Sequence, residues 1–325
     1  MASNTEPYAL GYTDGSRHRI NASHCLLTQI VYNDAMTHYD RSQRFLFDNA
    51  DIRGETVHLC DSLGEVLDNH QYAPGVSRLL GEFMAAAVLL TTTLKYEGKM
   101  ILQARSEGQI PLIMAECTSD LKIRAIARGA QEATADTFEA LLANGQLVIT
   151  IDPTKGERYQ GIVPLVSNSL AHSLDAYFQM SEQLHTRFWL ACDGTLAAGM
   201  LLQQLPSQLQ PNPQDRENQW QHTCILADTI QDEELLALPA EQSLQRLFHE
   251  DPIRLFEARR PEFCCSCSRE RTFNALSAIG SEEVTSLLEE QGSITMDCEF
   301  CNQQYVFQPQ DLTALLPSDS PPLTH

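Results

Sequence analysis

Four cysteines near the C-terminus form two close pairs with the spacing of a metal site. One residue separates Cys265 from Cys267, two separate Cys298 from Cys301, and the loop 268–297 joins the pairs. Two thiol pairs separated by a module-sized loop are the usual layout of a tetrahedral four-thiolate zinc site. The pattern therefore predicts one zinc ion per chain, bound by Cys265, Cys267, Cys298 and Cys301.

Cys264 is an alternative first ligand. It immediately precedes Cys265, and the Cys-x-x-Cys that it forms with Cys267 is also plausible geometry for zinc. Spacing alone leaves both assignments open.

The function of the predicted site depends on what the metal does there. Four thiolates close the coordination sphere, so zinc-catalysed hydrolysis is not expected. A permanent structural site and a redox switch both remain. A module of about sixty residues buries little apolar surface, whereas structural zinc contributes about 10–16 kcal/mol in small zinc peptides. Because oxidants attack thiolates, oxidation would expel the ion and unfold the module.

Composition restricts the class of protein. The length of 325 residues suggests roughly two domains, and 43% hydrophobic residues suffice for a globular core. The net charge of −21 disfavours nucleic-acid binding, because such a surface repels phosphate. The apolar runs are short, so we expect no membrane-spanning helix. The N-terminus carries no secretory signal, so we expect a cytosolic location.

The remaining cysteines stand alone in the sequence. The cytosol keeps thiols reduced, so ten cysteines do not indicate a disulfide framework. Isolated cysteines are usually small buried hydrophobic residues, and this is the prediction for Cys25, Cys60, Cys117, Cys192 and Cys224.

The elements upstream of the cysteines predict an α+β domain with a mainly antiparallel sheet. Period-two alternation and turn-bounded apolar runs indicate strands, and apolar stripes indicate helices, the strongest of which begins at Pro74. A turn at 153–156 joins two strands as a hairpin. Strands are predicted at 44–47, 52–59, 99–104, 112–117, 123–127, 146–151, 159–163 and 187–191, and helices at 63–70, 74–95, 137–142 and 169–183.

A change in composition follows this domain. Residues 206–222 contain three prolines and five glutamines, which predicts a loop or linker. Short helices are predicted around 231–238 and 240–249, and helices this short are marginal without tertiary support. The region 208–260 is therefore either a unit of low stability or an ordinary well-packed connector.

Predicted helices between the cysteine pairs place both pairs at the ends of elements. Ser268 can cap a helix that stops at Gly280. Ser281 can cap a second helix that ends before Gly292. The C-terminal region is thus predicted to be a small module in which two helices lie between the two metal-binding cysteine pairs.

The residues around the cysteines closely resemble those of the bacterial 33 kDa chaperonin (heat shock protein 33) family. In the module the similarity lies in FCCSCSRER at 263–271 and in DCEFC at 297–301, with Tyr305 and Phe307. The resemblance covers about residues 36–310. Upstream it is carried by RFLF at 44–47, RGE at 53–55 with Val57, LLTTTLK at 89–95, GERYQG at 156–161, SEQL at 181–184 with Thr186 and Arg187, and GMLLQ at 199–203.

This resemblance implies a redox-regulated holdase chaperone that uses no ATP and is not an enzyme. In such proteins the reduced, zinc-loaded form is inactive. Oxidation forms disulfides, implied here to be Cys265–Cys267 and Cys298–Cys301, and releases zinc. The linker then unfolds, and the exposed surface holds unfolded or oxidatively damaged clients until ATP-dependent refolding chaperones take them over. The resemblance also favours Cys265 as the first ligand and implies a homodimer in the active state.

The resemblance divides the chain into four parts. Residues 1–35 lie outside it and are expected to be disordered, either as a genuine tail or as a mis-assigned start before Met36. Residues 36–207 are expected to form the α+β client-binding and dimerisation domain. A metastable linker, 208–260, and a C-terminal zinc-binding redox-switch domain, 261–325, follow. Cys264 is an addition to the family pattern and could compete in disulfide exchange.

Two other functions fit parts of the pattern. A constitutive zinc ribbon could bind nucleic acid or protein, but the acidic residues of the module argue against nucleic acid. A thiol oxidoreductase could use Cys298-x-x-Cys301, but such motifs normally begin a helix that follows a strand.

Overall fold

Antiparallel strand pairing dominates the structure, a computed structural model that describes residues 40–165, 168–181 and 184–316. The predictions for residues 1–35 and for Cys25 lie outside these ranges. The strands are β1 Arg41–Phe47, β2 Ile52–Leu59, β3 Gly98–Arg105, β4 Leu112–Thr118, β5 Lys122–Arg128, β6 Gln146–Pro153, β7 Tyr159–Pro164, β8 Thr186–Cys192, β9 Ala197–Gln204, β10 Ile253–Leu255, β11 Glu262–Phe263, β12 Ile294–Asp297 and β13 Gln304–Phe307.

Helices occupy the segments between the strands and most of the region from 213 to 291. They are α1 Asp61–Asp68, α2 Pro74–Thr93, α3 Phe138–Leu141, α4 Leu170–Ser181, α5 Pro213–Ala227, α6 Asp232–Ala237, α7 Ala240–Leu247, α8 Arg269–Ile279 and α9 Ser281–Gln291, followed by a 3₁₀ helix, Pro309–Leu315. The α+β prediction is confirmed.

The strands form two large sheets and one small one. The five-stranded sheet has the order β10-β1-β2-β9-β8, and the six-stranded sheet has the order β11-β5-β4-β3-β6-β7. β12 and β13 form a separate hairpin. Only β11, which pairs with β5, is parallel to its neighbour among the described strands. The predicted hairpin is confirmed, because β6 and β7 pair antiparallel with Leu147 opposite Val163.

Helix α2 packs against strands of both large sheets. Its run from Met84 to Leu90 is completely buried. By length and composition this helix could cross a membrane, with a mean hydropathy of 1.3, but 83% of that stretch is buried within the protein. The apolar composition is therefore that of a central core helix.

Strand β9 is buried on both faces. Leu201 packs with the core around α2, whereas Ala198, Met200 and Leu202 pack with a second core on the opposite face of the sheet. Every residue of the strand is buried, so its sequence shows no polar–apolar alternation. For this reason the sequence pattern does not predict this strand.

Helix α5 shows that the loop prediction for 206–222 is wrong from Pro213 onward. The side chain of Asn212 accepts a hydrogen bond of 3.0 Å from the Gln214 N–H, and Pro213 occupies the first helical position. The residue types that suggested a loop are thus the start signal of a helix. The two shorter helices predicted after it are confirmed as α6 and α7.

Helices α5, α6 and α7 cover the outer face of the five-stranded sheet. Their apolar side chains, including Trp220, Leu244 and Phe248, pack against Phe47 and its neighbours on the sheet. The rings of Phe47 and Phe248 meet edge to face at 5.1 Å. An apolar sheet surface is therefore hidden by the region 213–255.

The helix signals in the cysteine module are largely confirmed. The side chain of Ser268 accepts a hydrogen bond of 3.2 Å from the Arg271 N–H at the start of α8. Gly292 ends α9 with a φ of +74°, in the left-handed region that favours glycine. The Ser281 prediction is wrong by one position, because Gly280 is the cap and Ser281 lies in the first turn.

The isolated cysteines are mostly interior, as predicted. Cys117, Cys192 and Cys224 are buried. Burial raises the thiol pKa of each to about 12. Cys60 differs from the prediction, because it is only half-buried.

Candidate metal centre

The structure brings four cysteine sulfurs together in one cluster. The sulfurs of Cys265, Cys267, Cys298 and Cys301 all lie within 4.8 Å of one another, and each residue is half-buried. Four cysteines in this arrangement could hold one metal ion, and a donor set of four thiolates suits zinc.

Cys264 has a different environment from its neighbour. Its side chain is exposed and its sulfur lies outside the cluster. Its backbone N–H donates a hydrogen bond of 2.9 Å to the carbonyl oxygen of Ile123. Pairing with β5 thus turns the adjacent residue, Cys265, toward the other sulfurs.

The second cysteine pair lies on the turn between β12 and β13. The Cys298 N–H donates to the Gln303 carbonyl oxygen at 2.9 Å, and the Asn302 N–H donates to the Cys298 carbonyl oxygen at 2.7 Å. Asn302 has a φ of +54°, a conformation that asparagine tolerates. We call residues 298–302 the knuckle turn. Because the motif does not begin a helix, the observed geometry argues against a thiol oxidoreductase.

Burial and hydrogen bonding make the sulfurs of Cys265, Cys267 and Cys301 electrostatically unequal. Burial alone would raise the pKa of Cys267, but a hydrogen bond of 3.2 Å from the Tyr305 hydroxyl and contacts with the other thiols lower it. Burial raises the pKa of Cys265 and of Cys301. The same hydrogen bond raises the pKa of Tyr305 to about 12. Cys267 is therefore more easily held as a thiolate than Cys265 or Cys301.

The knuckle turn docks on the six-stranded sheet. The Arg124 guanidinium lies 4.2 Å from the centre of the Phe300 ring and donates to Glu116 Oε2 at 3.0 Å. It also interacts electrostatically with the Cys265 sulfur. Arg128 forms an ion pair with Glu299. The metal site is thus in direct contact with β5.

A second connection runs through residues 253–264, which we call the strap. β10 pairs with β1, and Ser42 and Arg259 exchange two backbone hydrogen bonds of 2.8 Å. Further along, the Glu262 N–H donates to the Leu121 carbonyl oxygen at 3.0 Å. The strap therefore caps one edge of each large sheet and ends immediately before Cys265.

Sequence reasoning assigned no role to the residues around the sulfurs. Tyr305 is predicted only through the resemblance, although it is the second residue of β13 and lies close to the knuckle turn. Arg124, Arg128 and Glu116 carry no local signal, because their proximity to the site depends on pairing between distant segments.

Comparisons with known proteins agree with this architecture. The family model described as "Hsp33 protein" matches residues 40–308. A curated protein of Pseudomonas paraeruginosa named "33 kDa chaperonin" is 52% identical over 283 residues, which is 86% of this chain and 95% of that protein. A "33 kDa chaperonin" of Pseudomonas aeruginosa is 53% identical over the same coverage.

A solved structure shows a similar fold. The crystal structure of a 33 kDa chaperonin (heat shock protein 33 homolog) from Thermotoga maritima matches with a TM-score of 0.74 and 23% sequence identity. The match covers 86% of this chain and 98% of that one.

Proposed function

The chain belongs to the Hsp33 family, and on that premise we propose that it is a redox-regulated, ATP-independent holdase chaperone. In this proposal it binds thermally unfolding and oxidatively damaged proteins and prevents their irreversible aggregation. The reduced, zinc-bound form is inactive. One observation carries the proposal: the four-sulfur cluster is joined by a twelve-residue strap, 253–264, to helices that hide an apolar sheet face.

The metal site links two parts of the chain in the reduced state. A zinc ion bound by Cys265, Cys267, Cys298 and Cys301 would hold the sulfurs as thiolates and cross-link the end of the strap to the knuckle turn. Tyr305 stabilises the negative charge on Cys267 through its hydroxyl. The small core of the module, around Leu276, Val284 and Phe307, has few buried side chains and depends on this cross-link.

Oxidation by a peroxide removes the thiolate donors. One thiolate attacks a peroxide oxygen, giving a sulfenic acid and hydroxide. The second thiolate attacks that sulfur, forms the disulfide and expels the remaining oxygen as hydroxide. Two peroxides thus convert the four thiolates into two disulfides, and the site can no longer hold the ion.

The disulfide pairing that we propose is Cys265–Cys267 and Cys298–Cys301. The closest sulfurs lie across the pairs, with Cys265 3.5 Å from Cys298 and Cys267 3.5 Å from Cys301. Since all four sulfurs lie within 4.8 Å, distance does not select a pairing. Disulfide mapping by mass spectrometry of the oxidised chain tests it directly.

The strap can transmit the loss of the metal cross-link to helices α5, α6 and α7. The strap is held to its two sheet edges by main-chain hydrogen bonds and a few ion pairs, such as Arg260 with Asp61 at 3.1 Å. If the module unfolds, the end of the strap at Cys264 is no longer anchored to a folded unit. Release of the strap then frees α5, α6 and α7, which we propose to be the metastable linker 208–260, and uncovers the apolar sheet face.

Further parts of the proposal concern partners and location. The active form is a homodimer, its clients are passed to ATP-dependent refolding chaperones, and the protein acts in the cytoplasm without enzymatic activity. Zinc is the cofactor of the reduced state. Neither nucleic acid nor membranes are partners, in keeping with the net charge of −21.

The decisive experiment measures protection of a client. The zinc-loaded protein is treated with peroxide at heat-shock temperature, and aggregation of a thermally unfolding client is followed by light scattering. Zinc release and free thiols are counted in the same samples. We expect protection to rise in step with zinc release and with the loss of four thiols.

The untreated protein and a sample re-reduced with zinc are the controls, and neither should protect the client. Equal protection by the reduced and oxidised proteins would contradict the redox switch and favour a constitutive binding module.

A further inference from the structure

The strap shows that the outer edge of β5 accepts an extended chain. β11 lies parallel to β5, with Glu262 opposite Lys122 and Phe263 opposite Ile123. The strap donates main-chain hydrogen bonds from Glu262 to Leu121 and from Cys264 to Ile123. An edge strand that is paired in this way is a template for any extended segment once its present partner leaves.

The outward-facing backbone groups of β5 can be assigned residue by residue. The N–H and C=O of one strand residue point to the same side, and this side alternates along the strand. The carbonyl of Ile123 faces the strap, so Ala125 and Ala127 also face outward. The Ala127 N–H confirms this, because it donates to the Tyr72 hydroxyl at 3.1 Å. Arg124 and Ile126 therefore pair with β4 instead.

The side chains along this edge define the chemistry of a ligand. Lys122 is paired with Glu262 of the strap, and Arg128 is paired with Glu299 of the knuckle turn. Phe263 packs against the large core. When the strap and the turn leave, Lys122 and Arg128 lose these two ion-pair partners and lie beside an apolar site.

We propose that the β5 edge exposed on activation binds extended segments of unfolded client proteins by strand addition. The preferred segments place an aromatic or large aliphatic side chain next to a carboxylate, as Glu262 and Phe263 do in the strap. Main-chain pairing recognises sequences broadly, and side-chain sites add selectivity. The inference rests on the proposed release of the module. In the reduced state the strap occupies the β5 edge and thus competes with the client for the same backbone groups.

The test uses the full chain and two fluorescent peptides. One carries the strap sequence 255–264 with serine in place of Cys264, and the other is identical but N-methylated at the positions of Glu262 and Cys264. Methylation removes the two N–H donors that pair with Leu121 and Ile123. Fluorescence anisotropy should show that the oxidised protein binds the first peptide at least tenfold more tightly than the second, since about 1.4 kcal/mol corresponds to tenfold. The reduced protein should bind neither.

Amide hydrogen exchange locates the binding. On oxidation the Ile123 amide should lose protection, and a saturating unfolded client should restore it, whereas the Arg124 amide, paired with β4, serves as the internal control. Equal affinity for both peptides, or an Ile123 amide that stays exposed with client bound, would overturn the inference.

Further measurements separate this inference from the holdase proposal. If the oxidised protein suppresses client aggregation but binds both peptides equally, strand addition is wrong and the holdase stands. If it neither protects the client nor binds peptide, both fail. Peptide affinity that falls as the dimer fraction rises would assign the edge to a second copy of the chain, and this too overturns the client assignment.

Discussion

At the level of single residues, Tyr305 tunes the sulfur cluster. Its hydroxyl donates to Cys267 at 3.2 Å, and hydrogen bonds to ligand atoms commonly affect metal affinity by 10–100-fold. We expect Tyr305→Phe to lower zinc affinity by about tenfold, measured by competition with a chromogenic chelator at pH 7. Tyr159→Phe, which removes a hydroxyl from the distant strand β7, should leave the affinity unchanged. An unaltered affinity in Tyr305→Phe would show that this hydrogen bond contributes nothing.

The adjacent thiols Cys264 and Cys265 provide a test of ligand identity. Only the sulfur of Cys265 lies in the cluster, whereas Cys264 is exposed. We expect Cys264→Ser to retain one zinc per chain and Cys265→Ser to lose tight binding, measured by metal analysis after dialysis. Zinc retention by Cys265→Ser together with loss by Cys264→Ser would reverse the assignment.

Glu82 predicts a dependence of stability on pH. Burial in α2 raises its pKa to about 8, repulsion from Asp232 adds to the shift, and Arg78 opposes it. Below pH 4.5 the carboxyl is protonated in both states. Between about pH 4.5 and 8 it ionises only in the unfolded chain, so the free energy of unfolding falls as pH rises. Above this range the contribution is constant.

We therefore expect Glu82→Gln to stabilise the reduced protein at pH 7 by on the order of 1–3 kcal/mol and to flatten this pH dependence. Urea unfolding at pH 5 and pH 7.5 measures both effects. Glu65→Gln, at an exposed position of α1, is the matched control. A steeper fall with pH in Glu82→Gln than in the native chain would contradict the assignment.

At the level of elements, a few buried side chains hold helices α5, α6 and α7 on the five-stranded sheet. Leu244 of α7 is 3% exposed and packs on the five-stranded sheet. Leu244→Ala should cost about 2–4 kcal/mol through lost burial and the cavity left behind. We expect the region 208–260 to exchange its amides faster and the reduced protein to protect clients partially.

The exposed neighbour Gln245 supplies the control for that experiment. Gln245→Ala should change stability by less than about 0.5 kcal/mol and leave the reduced protein inactive. Faster exchange in Leu244→Ala without any gain in protection would separate linker stability from activation.

Elements with a strong local pattern were predictable, and those defined by distant partners were not. Strands β2 to β7 and helix α2 have clear periodicity or turn signals, and the structure has them close to the predicted bounds. β9 escaped prediction because burial on both faces removes alternation. β10 and β11 are only three and two residues long. They exist as strands only because the edges of β1 and β5 lie beside them.

The same distinction applies to the metal centre. The spacing of the two cysteine pairs predicts the site, because it reflects the local turn and strand that carry them, but it leaves Cys264 and Cys265 as alternatives. The resemblance favours Cys265, and the sulfur of Cys265 lies in the cluster. Arg124 could not be found in this way. It reaches Phe300 and Cys265 only because the strap pairs with β5 and brings the module against the sheet.

At the level of the whole molecule, Arg124 joins the C-terminal module to the rest of the protein. Its guanidinium stacks on Phe300, donates a hydrogen bond to Glu116 and interacts electrostatically with Cys265. We expect Arg124→Ala to raise amide exchange in the knuckle turn by about tenfold, equivalent to a loss of about 1–2 kcal/mol, while zinc remains bound. The oxidised fraction at a given peroxide dose should also rise, because the turn opens more often.

Arg158→Ala is a suitable comparison, because Arg158 is an exposed residue of the loop between β6 and β7. It should alter neither quantity. If Arg124→Ala exchanges like the native chain, the ligand cluster alone holds the module in place.

The interior thiols differ from the cluster in when they can react with peroxide. With pKa values of about 12, roughly one in 10⁵ of the Cys117, Cys192 or Cys224 side chains is a thiolate at pH 7. These three thiols are therefore poor targets for peroxide while the chain is folded. Cys224 belongs to α5, so under the proposed switch we expect it to become reactive only after that helix leaves the sheet. Oxidation of Cys224 would accumulate with the time that α5 is detached from the sheet. The oxidised fraction of Cys224, measured by mass spectrometry, would then report how long the chain had been in the active form.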